Sequence, residues 1–164
     1  MTGFDEYYSE DLLKGRMAEC LVEDLLKQSG NRVYRFGYES ILQNLTQISD
    51  HLSFDRKEAV SKKLKSIPDF VVINREKKPF FVEVKFRTKV KIYESDLRLI
   101  KDLWQAKVVM VTIEKPYFRI LDTRSEERSW IPLVKDLDLG VEGKVLERFN
   151  KLVEKYYPDA AKKE

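Results

Sequence analysis

The chain has 164 residues, of which 43% are hydrophobic and 36% charged, and a formal net charge of +3. This size and composition are typical of one domain with its own core and exclude a disordered or low-complexity chain. No apolar run approaches the roughly 20 residues of a membrane span, and the N-terminus lacks a signal-peptide pattern, so we expect a single cytoplasmic domain over residues 1–164. One cysteine and one histidine exclude internal disulfides, Cys-rich zinc sites and His-pair metal sites, so carboxylates would have to hold any metal.

Basic charge is concentrated in the middle of the chain. Residues 55–91 carry 12 Lys and Arg against 5 Asp and Glu, whereas residues 1–54 have a net charge of −4 and residues 92–164 of zero. Such a surplus suits a polyanionic partner, because Lys and Arg release counterions when they neutralise phosphates. An ordinary solvated basic face is the alternative.

Apolar spacing predicts an α/β fold. Apolar residues from Asp11 to Gln28, beginning with Leu12 and Leu13, recur at helical intervals, and residues 32–38 alternate as in a half-buried strand. Residues 39–66 are polar with some helical spacing and predict a helical insertion. The remaining predicted elements are an antiparallel hairpin of strands 69–73 and 80–86, a helix over 93–106, strands over 108–113 and 117–121, a short extended segment at 130–133, and a closing helix at about 140–157.

The predicted hairpin carries an unusual set of charged residues. Alternation places Glu83 and Lys85 on one face of a strand whose other face is apolar. Burying these charges uncompensated would be costly, so their face must open to a cleft, pair internally or bind a cation. Hairpin pairing brings Asp69 alongside Glu83. Two carboxylates and an amine suit a hard cation such as Mg²⁺ and the hydrolysis of phosphodiesters.

These residues resemble the signature of the PD-(D/E)xK nuclease superfamily: Pro68 and Asp69, a gap of 13 residues, then Glu83, Val84 and Lys85. The order of elements over residues 15–121 is similar to the restriction-endonuclease-like αβββαβ core, a central mixed sheet flanked by helices. The nearest likeness is to archaeal Holliday-junction resolvases. The resemblance implies that Asp69 and Glu83 bind Mg²⁺ or Mn²⁺ and that Val84 contributes its backbone carbonyl. It also implies that Lys85 serves the nucleophilic water.

Many members of this superfamily add a glutamate from the first helix, and the segment from Gly15 to Glu19 resembles that element. On a helical wheel Glu19 lies at the edge of the apolar face, and Gly15 one turn earlier would allow a close approach. Glu23, one turn further on, is the competing candidate. The resemblance therefore implies a Mg²⁺-dependent DNA endonuclease with Glu19 as a fourth site residue, and a homodimer, since relatives that act on duplex DNA often dimerise.

Basic residues that flank the motif are candidates for nucleic-acid contacts. They are Lys62, Lys63, Lys65, Arg87, Lys89 and Lys91, with Arg16 and Arg35 as weaker candidates. Trp104 and Gln105 are predicted to be core and helix cap, and His51 an exposed residue of the insertion. Cys20 is predicted to be a small buried residue without a catalytic role.

Blander interpretations of the same residues remain open. An Asp at the start of a strand is commonly a turn residue, and a Glu-x-Lys pair is commonly a solvated ion pair. A non-catalytic nucleic-acid-binding or assembly domain with the same fold is one alternative function, and an RNA endonuclease is another. No membrane partner is expected.

Overall fold

The computed structural model describes residues 3–37, 63–64 and 66–160 of the chain. Over these residues the protein is an α/β fold with a six-stranded mixed sheet. The helices are α1 (Gly3–Gln28), α2 (Glu94–Leu99), which continues as a π-helix (Ile100–Trp104), a 3₁₀ turn (Leu133–Lys135) and α3 (Gly143–Tyr156). The strands are β1 (Arg32–Arg35), β2 (Phe70–Ile73), β3 (Pro79–Phe86), β4 (Lys107–Val111), β5 (Phe118–Asp122) and β6 (Ile131–Pro132).

The strands lie in the sheet in the order of the sequence, from β1 to β6. The pair β3 and β4 is parallel and the other neighbouring pairs of this sheet are antiparallel. Parallel neighbours require a crossover connection, and here α2 and the π-helix supply it. The crossover frees the C-terminal end of β3 from a tight turn, which leaves room there for a cleft.

Two apolar cores lie on opposite faces of the sheet, because successive strand residues alternate between faces. The larger core joins α1 and α3 to the sheet and includes Val22, Val84 and Phe149. The smaller core, beneath α2, includes Leu97 and Val108. Helices therefore cover both faces of the sheet, and none of those described is long and apolar enough to cross a membrane.

The predicted hairpin, the crossover helix, the later strands and the closing helix are all present, with boundaries shifted by a few residues. The closing helix begins at Gly143 instead of Gly140, and Gly140 itself adopts a positive φ of 54° in the preceding loop. The predicted insertion over 39–66 lies outside the described residues, except that Lys63 and Leu64 are helical and Ser66 forms a turn. Lys62, Lys65 and His51 also lie outside the described residues.

Three predictions for the first helix are wrong. The helix begins at Gly3, and Leu12 and Leu13, assigned to its apolar face, are exposed. Cys20 is also exposed. It lies two residues from each of the buried positions Ala18 and Val22, which places it on roughly the opposite side of the helix. Residue type alone favoured burial of Cys20, whereas the helical wheel places it on the solvent side.

Candidate active site

Asp69 is held at the junction of β1, β2 and β3. It precedes β2 and stands opposite Glu83, one residue beyond the paired positions Phe70 and Val82. Its carboxylate oxygen Oδ2 accepts a hydrogen bond from the backbone N–H of Val84 at 2.7 Å, and its carbonyl accepts one from the N–H of Phe36 at 2.8 Å. These backbone contacts fix the position of Asp69 on both sides.

Glu83 and Lys85 form an ion pair on the face of β3 opposite to Val84. Lys85 Nζ lies 2.6 Å from Glu83 Oε1, and the two side chains are 26% and 12% exposed, respectively. The alternation predicted for this strand is confirmed, since Val82 and Val84 are buried in the larger core. The pair is too buried to be an ordinary solvated ion pair on a strand surface.

Glu19 reaches the same region from α1. A cleft of about 470 Å³ lies between α1 and the C-terminal end of β3. It is lined by Asp11, Gly15, Glu19, Val84, Lys85, Phe86, Arg87 and Thr88. Gly15 does not serve a close approach, because a Cβ built on it would meet open space, so that prediction is wrong. Gly15 instead leaves this wall of the cleft open.

Glu23, the competing candidate on α1, is engaged elsewhere. Its carboxylate lies 2.9 Å from Lys27 Nζ and 2.6 Å from an Arg35 guanidinium nitrogen. Burial opposes ionisation of Glu23, but the hydrogen bonds from Lys27 and Arg35 hold its pKa below the usual value. Glu23 and Arg35 therefore neutralise each other, and Glu19 remains the helix residue associated with the cleft.

The electrostatics of Asp69 connect these residues. Burial, together with the negative charges of Glu83 and Glu19, raises the pKa of Asp69 from 3.8 to about 8, although the N–H of Val84 and the charge of Lys85 oppose the shift. The influence of Glu19 on this carboxyl shows that the two strand carboxylates and the helix carboxylate share one electrostatic environment. Among the described residues, the surroundings of Asp69 therefore disfavour its ionisation.

The described side chains supply part of the ligands that a divalent cation needs. Among the described residues, no group of three or more His, Cys, Asp or Glu side chains is spaced to hold a metal. Asp69 and Glu83 do provide two facing carboxylates beside the backbone of Val84. Mg²⁺ commonly takes one or two carboxylates and keeps several waters, so this oxygen-rich and negatively charged set fits a hard cation.

Three of the predicted basic residues follow β3, and one of them lines the cleft. Arg87 lines the cleft, and its guanidinium donates to the carbonyl of Phe86 at 2.8 Å. Lys89 and Lys91 are exposed beyond it, and Lys63, which precedes the hairpin in the sequence, is also exposed. Arg16 lies 3.8 Å from Glu19. Arg87 thus lies in the cleft with Glu19, and Lys89 and Lys91 share an adjacent pocket with Arg87.

The aromatic residues near the motif pack as predicted. Trp104 makes edge contacts with Phe36 and Phe81, at centroid distances of 5.8 and 5.3 Å. Gln105 ends the π-helix in the left-handed conformation, with φ of 49°, as a cap residue does. Tyr117, Phe118 and Trp130 likewise belong to the two cores or pack against them.

Tyr157, which the sequence did not single out, joins the two walls of the cleft. Its ring stacks on Phe86 with a centroid distance of 4.7 Å and an interplanar angle of 8°. Its hydroxyl donates to the carbonyl of Lys14 on α1 at 2.8 Å. Burial raises the pKa of the Tyr157 phenol, so the hydroxyl stays protonated as a donor. The position of α1 relative to the end of β3 therefore depends on α3 and the residue after it.

Lys107 is the centre of a second charged cluster that sequence reasoning missed. Its side chain is 3% exposed, and Nζ lies 2.9 Å from Asp136 and Asp138 and 3.2 Å from Asp122. Burial opposes its charge, but the hydrogen bonds that Lys107 donates to Asp138 and Asp136 raise its pKa. One signal was available, because Lys107 heads a strand that is otherwise wholly apolar.

Comparisons with known protein families, curated proteins and solved structures found no match to this chain.

Proposed function

We propose that this protein is a metal-dependent nuclease of the restriction-endonuclease-like fold, which hydrolyses DNA phosphodiester bonds. The observation that supports this most is the meeting of Asp69, Glu83 and Lys85 around the backbone of Val84, next to a cleft that Glu19, Val84 and Lys85 line. A carboxylate pair, an amine and an open cleft are the groups that hydrolysis of a phosphodiester requires. The mixed sheet with helices on both faces supplies the framework that the resemblance implies.

Each residue of the proposed site has a chemical role. Asp69 and Glu83 would hold Mg²⁺ or Mn²⁺, together with the carbonyl of Val84, and Glu19 would face the cation across the cleft. The bound cation would supply Lewis acidity and offset the negative charge of the phosphate. Lys85 lines the cleft with its ammonium 2.6 Å from Glu83 Oε1, and it would orient the attacking water and stabilise charge that develops on the phosphate.

The surroundings of the site favour a polyanionic substrate. Arg87, Lys89 and Lys91 lie in succession after β3, on the side where the cleft opens. Positive side chains at such a margin attract phosphates and position a nucleic acid without reading its sequence. The acidic centre and basic margin together explain how a negatively charged backbone would be drawn to a site rich in carboxylates.

Cleavage of labelled nucleic acids tests the proposal. We expect the purified protein with Mn²⁺ or Mg²⁺ to cut members of a panel of branched, single-stranded and duplex DNA. Glu83→Gln and Lys85→Ala should each lower the cleavage rate by at least about a hundredfold, because each removes a group that acts on the reacting phosphate. Lys78→Ala is a suitable control, because Lys78 forms an exposed ion pair with Glu76 in the hairpin turn. Cleavage by both site variants at the parent rate would contradict the assignment.

A non-catalytic nucleic-acid-binding domain is the second candidate. The contact of 2.6 Å between Lys85 and Glu83 favours it, because this pair satisfies two of the site's charges without a metal. Titration with Mn²⁺ separates the two candidates. A nuclease site should bind Mn²⁺ and lose that binding in Asp69→Asn, whereas a scaffold should bind nucleic acid independently of both changes. Competition between DNA and RNA then decides whether the substrate is DNA or RNA.

A further inference from the structure

The segment that connects β3 to α2 forms a second pocket beside the cleft. Its volume is about 180 Å³, and Arg87 and Thr88 line both this pocket and the cleft. The other lining residues are Lys89, Lys91 and Tyr93. The pocket therefore continues the cleft away from the carboxylates and toward α2.

Tyr93 presents an aromatic ring to solvent from a fixed backbone. The residue is 70% exposed, more than any aromatic residue within the two cores. It precedes α2, and its carbonyl accepts hydrogen bonds from the N–H groups of Asp96 and Leu97, both at 3.1 Å. The first turn of α2 thus holds the backbone of Tyr93 while the ring remains available for a partner.

The charges around Tyr93 suit a phosphate chain. Lys89 and Lys91 are exposed, and a hydrogen bond of 2.7 Å from the N–H of Lys91 to the carbonyl of Lys89 holds the turn between them. Glu94, the adjacent acidic residue, lies 2.9 Å from a guanidinium nitrogen of Arg128. Its negative charge is therefore offset, and the pocket keeps a positive margin.

We propose that this pocket binds an unpaired nucleotide, with its base stacked on Tyr93 and its phosphates held by Lys89 and Lys91. An aromatic ring beside basic side chains is the arrangement that proteins use for single strands, because every base has a stacking face. A duplex buries those faces and offers only phosphates and groove edges. The pocket is also of the size of a base and too small for a helix.

This inference rests on the proposed function, because it assumes that the DNA strand runs from the pocket past Arg87 into the cleft where it is cut. It deepens that function by naming a substrate class: DNA in which a single-stranded segment adjoins the scissile bond, as in an overhang, a flap or a gap. Blunt duplex DNA would reach the cleft without filling the pocket.

Binding without metal tests the pocket separately from cleavage. In EDTA, the affinity for a labelled duplex with a single-stranded overhang should fall about five- to hundredfold in Tyr93→Ala, the loss expected for one stacked base. Affinity for the blunt duplex should not change. Tyr93→Phe keeps the ring and should bind as the parent does. The fluorescence of 2-aminopurine in the overhang should be quenched by the parent and by Tyr93→Phe but not by Tyr93→Ala.

The outcomes distinguish this site from the nuclease. An equal loss for both DNAs in Tyr93→Ala, or no loss for either, would overturn the nucleotide pocket even if the protein cuts DNA. If the protein prefers the overhang through Tyr93 but cuts no DNA with Mn²⁺, the nucleotide pocket is supported and the proposed nuclease activity is contradicted. Lys85→Ala should keep the overhang preference while losing cleavage.

Discussion

The two charged clusters of this sheet differ in how their charges are compensated. Each carboxylate around Lys107 receives a hydrogen bond from a cationic side chain. Lys107 lowers the pKa of Asp138, and Arg124, against the effect of burial, lowers the pKa of Asp122 to about 2. Among the described residues, Asp69 accepts a side-chain hydrogen bond only from a backbone N–H, and burial together with the charges of Glu83 and Glu19 raises its pKa to about 8. The carboxylates of the first cluster are paired with cationic side chains. In the second cluster the surroundings oppose ionisation of Asp69, and a bound cation would favour it.

The largest expected effect comes from removing the cation at the centre of the first cluster. Lys107→Ala should lower the free energy of unfolding by about 3–5 kcal/mol, because it leaves the buried carboxylate of Asp136 without the cation that it contacts. Denaturation in urea, followed by circular dichroism, measures the change. Lys78→Ala removes an exposed ion pair and should cost less than about 1 kcal/mol. Similar losses in the two variants would show that the Lys107 cluster is not a stabilising network.

A smaller effect of opposite sign is expected at Asp69. Its folded pKa of about 8 exceeds the unfolded value of 3.8, so the stability that it contributes is present below about pH 4 and is lost as the pH rises through 8. In metal-free buffer at pH 8, Asp69→Asn should therefore raise the free energy of unfolding by about 2–4 kcal/mol. This is less than the roughly 6 kcal/mol of the full shift at about 1.4 kcal/mol per pKa unit, because the amide replaces the protonated carboxyl only in part.

Asp24→Asn provides the control for Asp69→Asn, because Asp24 is exposed on α1 and hydrogen bonds only to Gln28 among the contacts described for it. Urea denaturation from pH 4 to pH 9 measures both variants. A parent protein whose stability is flat over this range, or an Asp69→Asn variant that is less stable than the parent at pH 8, would contradict the raised pKa of Asp69.

The smallest effect is expected at Asp122 and has the reverse pH dependence. Its folded pKa of about 2 is below the unfolded 3.8, so its contribution is present above pH 4 and is lost as the pH falls toward 2. Asp122→Asn should lower the free energy of unfolding at pH 7 by about 1–2 kcal/mol, a value reduced by the partial exposure of the carboxylate. The variant should also lose less stability than the parent as the pH falls from 4 to 2. Urea denaturation of both proteins from pH 7 down to pH 2 tests this. The same loss of stability on acidification in parent and variant would contradict the opposite pH dependence of Asp122 and Asp69.

Local patterns predicted the parts of the fold that depend on local physics. Alternation along residues 80–86 placed Glu83 and Lys85 on one face, and the turn-rich connector predicted the hairpin that sets Asp69 opposite Glu83. The hydrogen bond from Val84 to Asp69 follows from that register. The chemical role of these residues remains a prediction, because it depends on binding and turnover.

Contacts between distant segments were not predictable. Lys107 meets Asp122, Asp136 and Asp138 only because β4, β5 and the loop after the 3₁₀ turn converge, and no periodicity records that meeting. The contact of Tyr157 with Lys14 spans most of the chain. The prediction that Cys20 is buried was wrong for a different reason, because it gave the residue type more weight than the position on the helix.

The double contact of Tyr157 has a consequence for the motions of the protein. Moving α1 away from β3 would break its hydrogen bond to Lys14, and moving β3 would break its stack on Phe86. We therefore expect the amides of α3 and of the adjoining half of α1 to exchange with deuterium in one cooperative opening, and not as separate helices. In such a unit the width of the cleft is set from the opposite end of the chain.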